Sequence, residues 1–295
     1  MRTDPMPYLR IISDPLAGRG SALVISLLLC IAIDVAVADT AAGVEAFESG
    51  NYEKAYEELM PEAEAGDAEA QFYVAKLYGS GYGVSENLDV ANQWLQRSAQ
   101  QGYTDALVGL GYVYSNGLGV DVDKERAVEL YREAAQKGES AAQSNLGLMY
   151  KEGEGVERDY QLAGQWFRRA AEQGDVVAQT ELAGLYYDGF RFEQNLRKAA
   201  YWFRQAAEAG NAEAQYALYN MLLQGLGGQS DVVAAYTWAR YAAEQGYPGG
   251  EQAWEHREYF LGDERERQVV RQVEAEQWPE LPSFSAREAA ELKEE

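Results

Sequence analysis

The residues able to do chemistry in this chain are few. There is one His, His256, and one Cys, Cys30. Any Ser-His-Asp or Cys-His relay would have to be built on His256, and soft ligands for a zinc or iron–sulfur centre are not supplied. His256 stands in Glu255-His256-Arg257-Glu258 with no second His or Cys nearby, so it reads as a solvated helix residue. Paired carboxylates abound among 48 Asp and Glu, and none stands out as an acid/base pair. The run Gly79-x-Gly81-x-Gly83, with its counterparts Gly117-x-Gly119 and Gly153-x-Gly155, has the outline of a phosphate loop. It follows a helical pattern instead of a strand and no Lys-Ser/Thr trails it, so it reads as a turn. No catalytic residue, metal ligand or cofactor site is expected.

Against the 48 acids stand 25 Lys and Arg, a formal charge of −23. Such a field repels phosphate backbones and anionic lipid heads, so nucleic acid is not an expected partner. With 295 residues, 47% of them hydrophobic, the chain can bury a substantial core.

The first 38 residues read as an export signal. Ser21 to Ile33 form an apolar run that follows Arg2, Arg10 and Arg19 and is too short to cross a bilayer comfortably. It ends at the small-x-small site Ala36-Val37-Ala38, which places cleavage after Ala38. An uncleaved anchor is the alternative, and the only expected membrane contact, but Asp34 interrupts the run. Bulky Leu27-Leu28-Leu29 before Cys30 argues against a lipidated cysteine. Removal of 1–38 takes away three Arg and three Asp and leaves the net charge unchanged and no cysteine. The expected address is periplasmic or secreted, and stability there must come from packing without disulfides.

A strict period organises the remainder. Gly66, Gly102, Gly138, Gly174, Gly210 and Gly246 follow one another at 36 residues. Counted from each glycine, Ala holds offset four (Ala70, Ala106, Ala142, Ala178, Ala214) and a large aliphatic holds offset eight (Val74, Leu110, Leu146, Leu182, Leu218). Tyr78, Tyr114, Tyr150, Tyr186 and Leu222 hold offset twelve. At 100° per residue these three offsets share one face, which predicts a helix over offsets two to fourteen. Gly fills offset fifteen in all five units and offset seventeen in all but the fourth, where Arg191 stands in Phe190-Arg191-Phe192.

A second helix is predicted after Asn87, Asp123, Asp159, Asn195 and Asp231, whose side chains can accept the orphan amides of a helix start. It carries Ala at offset twenty-five and Trp94, Leu130, Trp166, Trp202 and Trp238 at offset twenty-eight as inward knobs, and the next period glycine closes it as a left-handed cap. The expected units are 66–101, 102–137, 138–173, 174–209 and 210–245. An incomplete leading helix pair over 42–65 precedes them, C-terminal capping helices over 246–278 follow, and 279–295 reads as a mobile acidic tail. In the last capping helix Val269, Val270 and Val273 are expected to point inward. One pair cannot bury its own apolar face, whereas a stack can.

Ala142, Leu146-Gly147, Tyr150, Gly153-x-Gly155-Val156 followed by Ala163, Trp166-Phe167, Ala170-Ala171 and Gly174 resemble the Sel1-like repeat family, a relative of the tetratricopeptide repeats. The resemblance covers about 42–262. It implies an all-α, right-handed superhelical solenoid of antiparallel helix pairs, acting in the bacterial envelope as a non-catalytic adaptor that binds a protein or peptide along its concave face. The resemblance leaves two alternatives, a β-lactam- or peptidoglycan-acting enzyme as in a cysteine-rich branch of the family, or a structural subunit of an exopolysaccharide secretion complex as for other exported members. This chain lacks the paired cysteines of that branch.

In the resembling family the first helices line the concave surface. Offsets three, six, ten, thirteen and fourteen face away from the apolar stripe and do not repeat from unit to unit. They supply the expected partner-binding set: Phe72, Lys76, Tyr112, Asn116, Ser144, Lys151, Thr180, Tyr187, Tyr216 and Asn220, with Arg191 added as an aromatic-flanked cation at a turn. The acidic surface favours a basic partner.

Overall fold

The computed structural model describes residues 40–189, 192–275 and 292, and every regular element among them is a helix. In chain order these are α1 (40–48), α2 (Tyr52–Ala65), α3 (Ala68–Ser80), α4 (Leu88–Gln100), α5 (Thr104–Asn116), α6 (Lys124–Gln136), α7 (Ser140–Glu152), α8 (Tyr160–Glu172), α9 (Val176–Asp188), α10 (Leu196–Glu208), α11 (Ala212–Gln224), α12 (Val232–Glu244), α13 (Pro248–Glu255), a single 3-10 turn at Arg257–Tyr259, and α14 (Asp263–Glu274). The expected signal segment 1–38, Phe190, Arg191 and most of the expected C-terminal tail lie outside the described residues.

The helices begin and end for local reasons. Asn87, Asp123, Asp159, Asn195 and Asp231 each accept a hydrogen bond from the backbone N–H three residues on, at 2.8–3.1 Å. Asp67, Asp175 and Asn211 do the same for first helices at 2.7–2.8 Å. Each such cap contributes roughly 1 kcal/mol. The period glycines take φ between +73° and +107°, a backbone that any L side chain would strain. The offset-seventeen glycines serve a different purpose. A Cβ on Gly155 would sit 2.3 Å from the Lys124 carbonyl oxygen, and one on Gly227 would sit 2.5 Å from that of Leu196. In both places a turn rests directly on the first residue of the preceding unit's second helix.

The described residues form two compact units, one up to Ala106 and one from Leu107 onward. In the first, α2 packs on α3 and α3 on α4. The core is Ala55, Leu59 and Ala63 of α2 with Ala70, Val74 and Leu77 of α3 and Ala91, Trp94 and Ala99 of α4. Helix α1 approaches α2 so closely that a Cβ on Gly43 would lie 2.5 Å from Leu59 Cγ.

In the second unit consecutive helices from α6 to α13 pack on one another, and α14 returns onto α12. Bulk is traded within each pair. Gly111 of α5 faces Tyr131 of α6, and Gly147 of α7 faces Phe167 of α8, where added Cβ atoms would fall 2.7 and 2.6 Å from the rings. The last pair inverts the arrangement, with Tyr219 on its first helix and Ala239 on its second, both buried. Phe192 is half-buried over Gly164 and meets Tyr186 edge-on at 5.1 Å. Of the expected inward knobs, Trp94, Leu130, Trp202 and Trp238 are buried. Trp166 departs from expectation: it is half-buried, with the Arg169 guanidinium 4.6 Å over its ring.

Val269 and Val273 are buried as expected, but Val270 is half-buried, because it is turned about 100° from Val269 around α14 and borders Asp263, Glu266, Arg267 and Arg271. Leu292, expected in a mobile tail, packs half-buried against the second unit's core.

A buried glutamine seam joins successive pairs. At offset five, Gln71, Gln143, Gln179 and Gln215 donate from Nε2 to the carbonyls of Ala63, Ala135, Ala171 and Ala207 at 3.0–3.2 Å. In three of these units a second Gln closes the arrangement. Gln101, Gln173 and Gln245 donate to the Oε1 atoms of Gln71, Gln143 and Gln215 at 2.8–2.9 Å. Unit two replaces both partners together, with Leu107 and Lys137. Unit four replaces one, Ala209 standing where the closing Gln would be, and the buried Gln179 Oε1 is left without a hydrogen-bond partner.

Candidate functional site

The surface built by the first helices divides by offset into positions that are open and positions that are not. Offsets three, ten and fourteen hold the exposed ones: Glu69, Asp105, Val177 and Glu213; then Lys76 and Tyr112; then Ser80, Asn116, Glu152, Asp188 and Gln224. Five of these eleven are carboxylates, against one cation, Lys76. Offset six is half-buried or buried, and in the first and last units the residue after the next period glycine packs against it. Tyr103 meets Phe72 at 5.5 Å, and Tyr247 meets Tyr216 at 5.4 Å.

Two of the expected contact residues point outward with little to hold them. Tyr112 on α5 is 56% exposed, and Asn116, one turn on, donates from Nδ2 to the Tyr112 carbonyl at 2.9 Å. Ser144 is a correction: at 5% exposure it lies inside α7's packing, at offset six, and cannot present itself to a partner. Thr180 is half-buried and turns its hydroxyl back to the Val176 carbonyl at 2.9 Å, and Asn220 turns its amide back to that of Tyr216 at 3.1 Å. Tyr187 packs edge-on to Phe203 at 6.5 Å, while Tyr216 stacks on Tyr219 at 5.7 Å and covers Gly249. Lys151 bridges α7 to α9 through Glu181 Oε2 at 2.8 Å. Burial draws the Lys151 ammonium down, but the hydrogen bond and charge of Glu181, with a further contribution from Glu152, outweigh it and hold it above the usual lysine range. Arg191 lies outside the described residues.

Phe72 and Lys76 belong to a cluster that the offset reading did not anticipate. The Lys76 ammonium sits 4.5, 5.0 and 5.4 Å from the ring centroids of Phe47, Tyr73 and Phe72. Phe47 comes from α1, outside the 36-residue register from which the rim was read. The glutamine seam has a signal in the sequence as well, Gln at offset five in four of the five units.

His256 is exposed at the end of α13, where its Nδ1 lies 2.8 Å from the Gln252 carbonyl oxygen. Among the described residues no group of three His, Cys, Asp or Glu is placed to hold a metal ion, and no helix is long and apolar enough to cross a membrane. The arrangement is a set of packed helices with a varied rim on which carboxylates outnumber cations.

The Sel1 repeat model matches residues 68–103, 104–139, 140–175, 176–211 and 212–247. Among solved structures, c5321, a protective antigen present in uropathogenic Escherichia coli strains and displaying an SLR fold, is 30% identical with a TM-score of 0.72. That match covers 82% of this chain, but this chain spans only 54% of its length. A Sel1 repeat protein from Oxalobacter formigenes is 29% identical with a TM-score of 0.70, covering 83% of this chain and 99% of that one. No curated protein matches. The expected fold class, an all-α solenoid of helix pairs, is that of these relatives. Five consecutive matches spanning more than half its length, on helix pairs that repeat at 36 residues, make the chain a member of the Sel1 repeat family, whose members are in general scaffolds for protein–protein interaction.

Proposed function

We propose that this protein is an exported, non-catalytic scaffold that holds a basic protein or peptide segment against the outer face of its first helices. The observation that carries this reading is the contrast between positions. Packing offsets hold nearly the same residue in every unit, whereas offsets ten and fourteen differ in all five units, and offset three repeats only its Glu, at Glu69 and Glu213. Stability requires the former and places no demand on the latter, so the variation is free to encode a partner. Tyr112 is the aromatic anchor of this face in the second unit, and Glu152, Asp188 and Glu213 supply charges that steer a cationic ligand. Export rests on the apolar run Ser21 to Ile33 and the Ala36-Val37-Ala38 site, and an antigen among the relatives is in keeping with it.

Crosslinking in the native envelope followed by mass spectrometry tests the scaffold. A specific partner is expected, recovered less well by Tyr112→Ala, with an association rate that falls as salt rises. Unchanged recovery by Tyr112→Ala together with a salt-independent rate would remove the face assignment. N-terminal sequencing of the exported protein is expected to begin at Asp39, and a chain retaining its first 38 residues would contradict cleavage.

A further inference from the structure

Lys76 is exposed on α3, and its ammonium is held by rings. Phe47 reaches it from α1, and Phe72 and Tyr73 reach it from α3. The rings brace one another, Phe47 against Tyr73 at 5.1 Å and Phe72 against Tyr73 at 5.4 Å, both edge-on. Tyr103 continues the cluster beside Phe72. Three carboxylates surround it. Burial first, and then the charges of Glu48, Glu69 and Asp105, push the Tyr73 hydroxyl above its usual range, and burial with Glu69 and Asp105 does the same to Tyr103. Yet among the described residues the Lys76 ammonium forms an ion pair with none of these acids. The rings are its seat, and the acids supply the negative field around it.

A cage of three ring faces inside an acidic field is built for a cation, and an exposed cation–π contact is weak enough to exchange. We propose that Phe47, Phe72 and Tyr73 form a docking cage for an Arg or Lys side chain of a partner segment, with Lys76 as an intrachain placeholder that the partner displaces. The inference deepens the scaffold reading and rests on it for the premise that a protein segment is the ligand. It commits to a cationic side chain because ring faces and carboxylates would both disfavour an acidic or phosphorylated one. Arginine suits the cage better than lysine, since a planar guanidinium stacks on a ring face while still donating hydrogen bonds to Glu69 or Asp105.

The test uses the full chain and three fluorescein-labelled Gly-Ser peptides that differ only in carrying two Arg, two Lys or two Gln. Lys76→Met keeps the aliphatic stem and removes the competing charge. If Lys76 fills the cage about nine-tenths of the time, its removal tightens the Arg peptide by about tenfold, because apparent affinity scales with the fraction of open cage. Adding Phe47→Leu to Lys76→Met is expected to abolish that gain, and the Gln peptide should bind none of the variants. Unchanged or weaker Arg-peptide binding by a folded Lys76→Met protein overturns the cage, as does a gain that survives Phe47→Leu. Such a result leaves the scaffold reading standing if crosslinking still recovers a partner that depends on Tyr112. Recovery of no partner removes the scaffold reading even where the peptide binds.

Discussion

Ala209→Gln is expected to stabilise the protein, and the reason is the incomplete glutamine seam in unit four. Gln179 is buried and spends its Nε2 on the Ala171 carbonyl at 3.2 Å, while its Oε1 has no partner. In the three units that complete the seam, the closing Gln sits at (φ, ψ) of (−83°, −3°), (−87°, −1°) and (−91°, 5°) for Gln101, Gln173 and Gln245. Ala209 already occupies that conformation at (−80°, 4°), so a Gln there needs no backbone change to reach Gln179. Leaving a buried acceptor unpaired costs about 1–3 kcal/mol, and a formed hydrogen bond is worth about 0.5–1.5 kcal/mol net. Ordering an exposed Gln side chain takes back part of this, so the expected gain is about 0.5–1.5 kcal/mol. For a chain of this size that is a rise of roughly 2–4 °C in Tm for each kcal/mol. Urea denaturation followed by circular dichroism measures it, with Gln179→Leu as the control background. A neutral or destabilising Ala209→Gln, or the same gain when Gln179 is Leu, refutes the reasoning, because only the missing Oε1 partner ties the two positions together.

Gly147→Ala should destabilise by about 1–3 kcal/mol, since its Cβ would fall 2.6 Å from the Phe167 ring, and Phe167→Leu in the same chain should recover part of the loss in a denaturant titration. Trp202→Ala removes a side chain only 2% exposed at the interface between successive pairs, and an unfolding free energy lower by about 3–5 kcal/mol is expected. Burial, with a smaller contribution from Tyr112, pushes the Tyr131 hydroxyl up to about 12 from an ordinary value near 10. The folded state therefore favours the protonated phenol. That contribution is fully present below about pH 10 and is lost as pH rises through 12. Tyr131→Phe should flatten this alkaline arm of the stability profile, and an unchanged arm would show that Tyr131 does not set it.

Most of the fold was legible because it is written five times. A single Asn87 before an apolar stretch is a weak helix start, but five Asn or Asp at one offset leave little room for another reading, and all five accept the expected backbone hydrogen bond. The candidate face was legible only in part. Counting offsets separates the apolar stripe of a helix from its far side, but it treats that helix as isolated. Ser144 and Tyr216 lie on the far side of their own helices, yet Ser144 is buried and Tyr216 is half-covered by Tyr247 of the following unit. Phe47 was missed for the opposite reason: it lies outside the period, and nothing in its local sequence ties it to Lys76.

The amino-acid sequence by itself determined the helix boundaries, the left-handed glycine turns and the repeating core, because each depends on interactions within about one repeat length. Only the tertiary structure decided which rim positions stay open, that three rings from two helices close on Lys76, and that Gln179 lacks the partner its counterparts have. These features depend on the distance between side chains carried by different helices, and that distance is set by how the helices pack.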